Sequence, residues 1–306
     1  MIDLCTLGTG GALPLPDRAL SSLYVRVNGR ALLIDCGEGT QVGIRRLGWG
    51  FRCLDGLLIT HFHGDHCGGL PGLLLSLDKA GRTEPFHLYG PAGLRRVVEG
   101  LRVIAPVVSY PVALHEIAPG DAFSLIGLTI DAFALRHGIP CLGYRLRLLR
   151  QPAFDPVKAR ALNIPLPLWK RLQAGETVQT DGRSIVPADV QGAPRPGLSL
   201  LYATDTRPVE SIVRLGEGAD LMILEGMYGD EAKRPQALKN HHMLFAEAAA
   251  LAREARAKSL LLTHFSNCVD DPEDYLPQAR VIFPETRCAH DGLTLTLHYP
   301  ERAAAI

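Results

Sequence analysis

Four side chains able to bind a metal ion fall within six residues, His61-Phe62-His63-Gly64-Asp65-His66, directly behind the apolar run Leu57–Thr60. No other feature of the chain constrains its fold as strongly. Successive residues diverge on a strand and on a helix alike, so these four cannot converge from one regular element. They belong on a loop at the end of a buried strand, where Gly64 lets the backbone turn without a side-chain clash. Imidazole nitrogens and carboxylate oxygens are the ligands that suit zinc in a catalytic site with a position kept open for water. A lone histidine here would be read as a polar loop residue. Four candidate ligands behind a buried strand favour a metal.

One loop cannot hold two ions, so further ligands are sought at other strand ends. His137 follows the alternating run Leu128–Leu135, Asp205 closes Leu200–Thr204, and His264 closes Leu260–Thr263. Taken singly, each is more readily a hydrogen-bonded loop residue than a ligand. Their shared place at the carboxyl ends of apolar strands, where His61 also stands, reverses that reading, because such ends gather along one edge of a sheet. Cys67 follows the loop directly and is read as packing. His87, His115, His241, His290 and His298 are read as ordinary polar or edge-strand residues.

Strand-like apolar runs recur at Ser22–Val27, Ala31–Ile34, Leu198–Ala203 and Leu221–Leu224. Several are continuous enough to be covered on both faces. Helical patterns lie between them at Leu70–Lys79, Leu94–Ile104 and Phe245–Ala257. The mixture predicts an α/β fold. A proline-rich stretch from about residue 151 to 197 breaks the rhythm and reads as an arm inserted into a single domain spanning 1–306. A short helix is expected there near Val157–Leu162. The opening residues read as a strand entering a glycine loop, so neither a secretion signal nor a membrane span is expected.

Seven scattered cysteines without a C-x-x-C pair suit reduced thiols in the cytoplasm. The charge is balanced, 32 basic against 32 acidic side chains, which withholds the support a strongly basic chain would give to a polyanionic partner.

His-x-His-x-Asp-His, a later His, an Asp and a final His together resemble the metallo-β-lactamase superfamily pattern. Within it the chain resembles the ribonuclease Z family. The resemblance runs through Leu7–Gly11, Leu33–Gln41, His61–Leu74, His137 with Pro140 and Gly143–Arg145, Asp205-Thr206-Arg207, Glu225-Gly226, His242, and Leu262–Ser266. It implies a four-layer αββα sandwich. It implies two zinc ions, with manganese or iron as alternatives: one held by His61, His63 and His137, the other by Asp65, His66 and His264, with Asp205 bridging. Asp65 would orient or deprotonate the attacking water, and His242 with Glu225 would protonate the departing ribose oxygen. Neighbouring His241 leaves the choice of proton donor open.

The implied reaction is removal of the 3′ trailer from precursor tRNA, by a homodimer. The alternatives are phosphodiesterase action on cyclic or small phosphodiesters or RNA 3′ ends, or hydrolysis of an ester, lactone or thioester with the same metals. The chain departs from the family pattern at Asn267-Cys268, where an Arg-Tyr pair is common, and at Ile164–Trp169 in the arm.

Overall fold

A computed structural model describes residues 1–300. They fall into two compact units, one of Met1–Leu148 with Leu198–His298 and one of Leu149–Gly197 with Tyr299.

In the first unit, β1 (Ile2–Gly8), β2 (Ser22–Val27), β3 (Arg30–Ile34), β4 (Leu54–Leu58), β5 (Phe86–Gly90) and β6 (Val112–Glu116) lie side by side in chain order. A second sheet starts with the antiparallel strands β7 (Ala122–Leu125), β8 (Leu128–Ala134) and β9 (Leu142–Leu148). The second unit contributes its own hairpin, β10 (Val178–Thr180) and β11 (Arg183–Ile185). The second sheet then continues with β12 (Leu198–Ala203), β13 (Leu221–Glu225), β14 (Leu260–Thr263) and β15 (Thr286–Cys288), which run parallel to one another. The last strand, β16 (Leu293–Leu297), returns to pair antiparallel with β1, so each large sheet has seven strands.

The central strands β3, β4, β13 and β14 are covered on both faces, which is why they read as apolar runs, whereas β8 alternates. Helices Thr40–Leu47, Leu70–Lys79 and Leu94–Leu101 place Ile44, Leu70, Leu73, Leu74 and Leu94 against Leu33, Leu57 and Leu88. The helix Phe245–Glu254 does the same for the second sheet, with Phe245, Ala248 and Ala252 against Leu201, Met222 and Leu262. Truncating one such leucine to alanine costs about 2–5 kcal/mol. Between the sheets, the buried Tyr144 hydroxyl donates to the Ile59 carbonyl at 2.7 Å, and Leu142 N–H to the Thr60 carbonyl at 2.9 Å. The result is the expected αββα sandwich.

Two boundaries move from their sequence positions for identifiable reasons. The strand expected at Leu57–Thr60 is β4, Leu54–Leu58, and the Thr60 N–H goes to the Asp35 carboxylate at 2.8 Å instead of to a neighbouring strand. The helix expected over Leu94–Ile104 becomes a tighter 3₁₀ turn at Arg102–Ile104, ahead of Pro106, which disfavours helical backbone in the residue before it.

The second unit has more structure than a proline-rich stretch suggests. Asp155 caps the helix Pro156–Ala161 by accepting from Val157 N–H at 2.9 Å and Lys158 N–H at 3.2 Å. A second helix, Leu166–Gln173, carries Pro167 in its first turn, where a missing N–H costs nothing. Ala159, Ile164, Leu172, Val178, Ile185 and Val190 form a separate small core. Among the described residues, no helix is long and apolar enough to cross a membrane.

Candidate metal centre

The strand ends converge as the sequence suggested, and three of them do so through unusual backbone. Asp35 after β3, Asp205 two residues beyond β12 and His264 directly after β14 all adopt left-handed conformations, with φ of 60°, 58° and 57°. Only glycine and occasionally Asn or Asp visit this region without penalty, and other residues pay about 1–2 kcal/mol. The turn at each strand end brings Asp205 and His264 into the cleft and Asp35 against the His66 ring behind it. Outliers of this kind gather at functional sites.

His61 to His66 departs in one respect from a plain loop. His63 stands at the N-cap of a single helical turn, Gly64–Cys67, so Asp65 and His66 lie on that turn. Gly64 is not sterically required, because a Cβ there would meet nothing within 4 Å. Glycine is required instead at Gly11, where a Cβ would come within 2.6 Å of the His264 ring, and at Gly37, where it would come within 2.6 Å of the Asp65 carbonyl.

The sequence-predicted ligands assemble into two groups. His61, His63, His137 and Asp205 form one, and Asp65, His66 and His264 the other, with ligand atoms in each group within 4.8 Å of one another. In the first, His63 Nδ1 is 3.0 Å from His61 Nε2 and 3.3 Å from His137 Nε2. In the second, His66 Nε2 is 3.1 Å from His264 Nε2, and Asp65 Oδ2 is 3.6 Å from the former and 3.5 Å from the latter. Asp205 divides its oxygens between them. Its Oδ2 is 3.7 Å from His61 Nε2 and 4.0 Å from His137 Nε2, while its Oδ1 is 3.1 Å from His66 Nε2 and 3.2 Å from His264 Nε2.

These residues fit metal ions. Tetrahedral ligands on a zinc at 2.0–2.1 Å lie about 3.3 Å apart, close to the spacings above. Asp205 Oδ1 is buried and has no hydrogen-bond partner, an expensive orphan unless a cation satisfies it. Burial, reinforced by the neighbouring His66, holds His61 well below its usual pKa, and burial also lowers His137. Both therefore present the neutral imidazole that binds metal. Burial alone would raise Asp65 and Asp205, yet His264 and His66 hold both below the usual carboxylate range.

Asp35 is the functional residue that sequence reasoning passed over. It is fully buried, and its carboxylate accepts from His66 Nδ1 at 2.8 Å and from the Thr60 hydroxyl at 3.0 Å. A carboxylate behind an imidazole fixes which nitrogen faces the cleft. A signal existed: Asp35 directly follows an apolar strand, as His264 does.

His242 lies beside the two groups. Its Nδ1 donates to Glu225 Oε2 at 2.9 Å, and it sits 3.9 Å from Asp205 Oδ2. Burial opposes its charge, but the Glu225 carboxylate prevails and raises His242 to about 9. Arg207 ties this region down by donating to the His242 carbonyl and to both Glu247 oxygens. Cys67 is buried in the first sheet's core, its thiol pushed up to about 11 by burial.

Paired seven-stranded sheets with a His/Asp cluster along one edge define a metal-binding hydrolase of the metallo-β-lactamase fold. A profile described as beta-lactamase superfamily domain matches residues 187–265, and one described as anti-Pycsar protein Apyc1 matches residues 2–101. Two curated relatives named ribonuclease Z, from Lachnoclostridium phytofermentans and Lachnospira eligens, are each 45% identical over 98% of this chain and 99% of their own. The chain belongs to the ribonuclease Z family. Among solved structures, the short form of human tRNase Z is similar at TM-score 0.69 and 26% identity, covering 96% of this chain and 98% of that one.

Proposed function

We propose that this protein is a zinc-dependent endoribonuclease that removes the 3′ trailer from precursor tRNA. The division of the Asp205 carboxylate between two imidazole groups carries the two-ion reading, and membership of the ribonuclease Z family carries the substrate. His61, His63 and His137 with Asp205 would hold one zinc, and Asp65, His66 and His264 with the same carboxylate would hold the other. When bound, the pair supplies an acidified water, its pKa lowered from about 15.7 to about 7, and positive charge against the phosphate.

The chain's own groups complete the reaction. Asp65, steadied by the Ala12 N–H on its Oδ2 at 2.7 Å, orients the attacking water and takes its proton. The water oxygen joins phosphorus as the bond to the ribose 3′-oxygen breaks. His242 gives its proton to that oxygen, and Glu225 keeps the imidazole charged and aimed. The tRNA leaves with a 3′-hydroxyl and the trailer with a 5′-phosphate.

Incubating purified protein with a trailer-bearing tRNA precursor, with and without chelator, and mapping the ends tests this reading. Cleavage at the discriminator base, abolished by chelator and restored by zinc, is expected. Turnover of small phosphodiesters together with indifference to the precursor would move the protein to a different substrate. A homodimer is the proposed assembly, measurable as twice the 33.2 kDa chain mass. The cytoplasm is the proposed compartment, which suits seven cysteines all present as free thiols.

A further inference from the structure

The helix Arg234–Asn240 ends on His241, which takes the left-handed cap position with φ 61° and ψ 42°. Glycine is the usual residue at such a cap, because any Cβ is strained there. The His241 side chain lines the cleft that holds Asp65, His137, Asp205, His242 and His264, a space of about 560 Å³. Its Nδ1 is buried without a hydrogen-bond partner. A left-handed backbone and a buried, unpartnered ring nitrogen on the same cleft-lining residue are both unfavourable in the free protein. They are explained if a ligand completes the hydrogen bond.

Two neighbours say what that ligand is. Lys239, exposed on the same helical turn, lines the same cleft, and among the described residues no carboxylate lies within salt-bridge distance of its ammonium. Asn240 is held in place, its Nδ2 donating to the Tyr228 hydroxyl at 3.3 Å. A cation and an imidazole N–H side by side form a site for an anion with several acceptor oxygens. His241 and His242 line the same cleft, with ring centroids 6.5 Å and 5.4 Å from that of His137, so the anion lies on the leaving-group side of the reaction.

We propose that His241 and Lys239 form a binding subsite for the RNA phosphate one nucleotide upstream of the bond that is cut. The subsite rests on the reading of the protein as an RNA phosphodiesterase with His242 beside the leaving oxygen. It fixes the register of the strand, so that the scissile phosphate and not its neighbour meets the metals. A residue kept for this purpose is one whose replacement by glycine improves the fold and harms the reaction, a pairing that a purely structural residue does not show.

The test compares the wild-type protein, His241→Gly and the Lys239→Ala/His241→Gly double variant on a precursor RNA. A second substrate carries a single neutral methylphosphonate in place of the upstream phosphate. His241→Gly is expected to melt no lower than the wild type and to hold its full metal content. Its kcat/KM on the charged RNA should fall about tenfold, the size of one charge-assisted hydrogen bond, chiefly through KM. In the wild type, the methylphosphonate should cost a similar factor. In the double variant it should cost almost nothing further, because the partner it would have met is gone.

A double variant as sensitive to the methylphosphonate as the wild type overturns the inference, and so does a His241→Gly enzyme with wild-type kcat/KM. A wild-type enzyme that leaves every RNA uncut overturns the functional reading itself and the subsite with it, which separates the two failures.

Discussion

The two halves of the metal centre are built to different standards. In the half formed by Asp65, His66 and His264, the imidazoles are 0% and 1% exposed, and the fully buried Asp35 carboxylate fixes the His66 ring from behind. The His264 ring packs so close to Gly11 that a Cβ there would come within 2.6 Å of it. In the half formed by His61, His63 and His137, the His61 and His137 rings are buried as well, and only His63 is exposed. His61 Nδ1 meets the Thr60 hydroxyl at 3.0 Å, and His137 Nδ1 has no partner, as His264 Nδ1 has none in the other half. Ligands held in place before metal arrives bind more tightly than ligands that must be ordered. One ion should therefore be resident and the other exchangeable, with Asp205 the element common to both.

The largest effect is expected where the halves meet. Asp205→Asn keeps the shape but removes the shared charge, and turnover should fall on the order of a thousandfold, with fewer than two metals per chain by elemental analysis. A variant that keeps both ions and most of its activity would dissolve the comparison. Glu225→Gln should reduce kcat about a hundredfold while both ions remain, because it acts on His242 and not on either half. Loss of metal in that variant would mean that His242 belongs with the ligands.

Asp35→Asn sharpens the contrast. It should weaken the resident ion about tenfold to a hundredfold in a chelator competition and the exchangeable one less, because Asp35 reaches His61 only through the Thr60 hydroxyl. Graded chelation of the unaltered protein should then release its metal in two steps, with one ion per chain surviving the first. In Asp35→Asn the two steps should draw together. A single step in the unaltered protein would show that the halves are equivalent after all.

Much of this centre could be read from residue types alone. His61, His63, Asp65, His66, His137, Asp205 and His264 all carry metal-binding side chains at the ends of apolar strands, and the structure brings all seven together. Asp35 escaped because its role is to hold an imidazole. The sequence marks that role only by position, one residue beyond a strand. His241 was legible only as an alternative to His242, because its left-handed φ belongs to the backbone, which no residue type announces.

In the second unit, Pro165 and Pro167 looked like breaks in structure and instead sit at the start of the helix Leu166–Gln173. Its small core joins Ile164 and Leu172 to Val178, Ile185 and Val190, contacts too distant in sequence for periodicity to show. The pairing of β16 with β1 spans nearly the whole chain and was hidden for the same reason.

The most direct test of the shared carboxylate is an anomalous-scattering map of metal-loaded crystals, collected on either side of the zinc absorption edge. Two peaks are expected, one among His61, His63 and His137 and one among Asp65, His66 and His264, with one oxygen of Asp205 directed at each. A single peak at full metal loading, or an Asp205 that touches only one of two ions, would contradict the account.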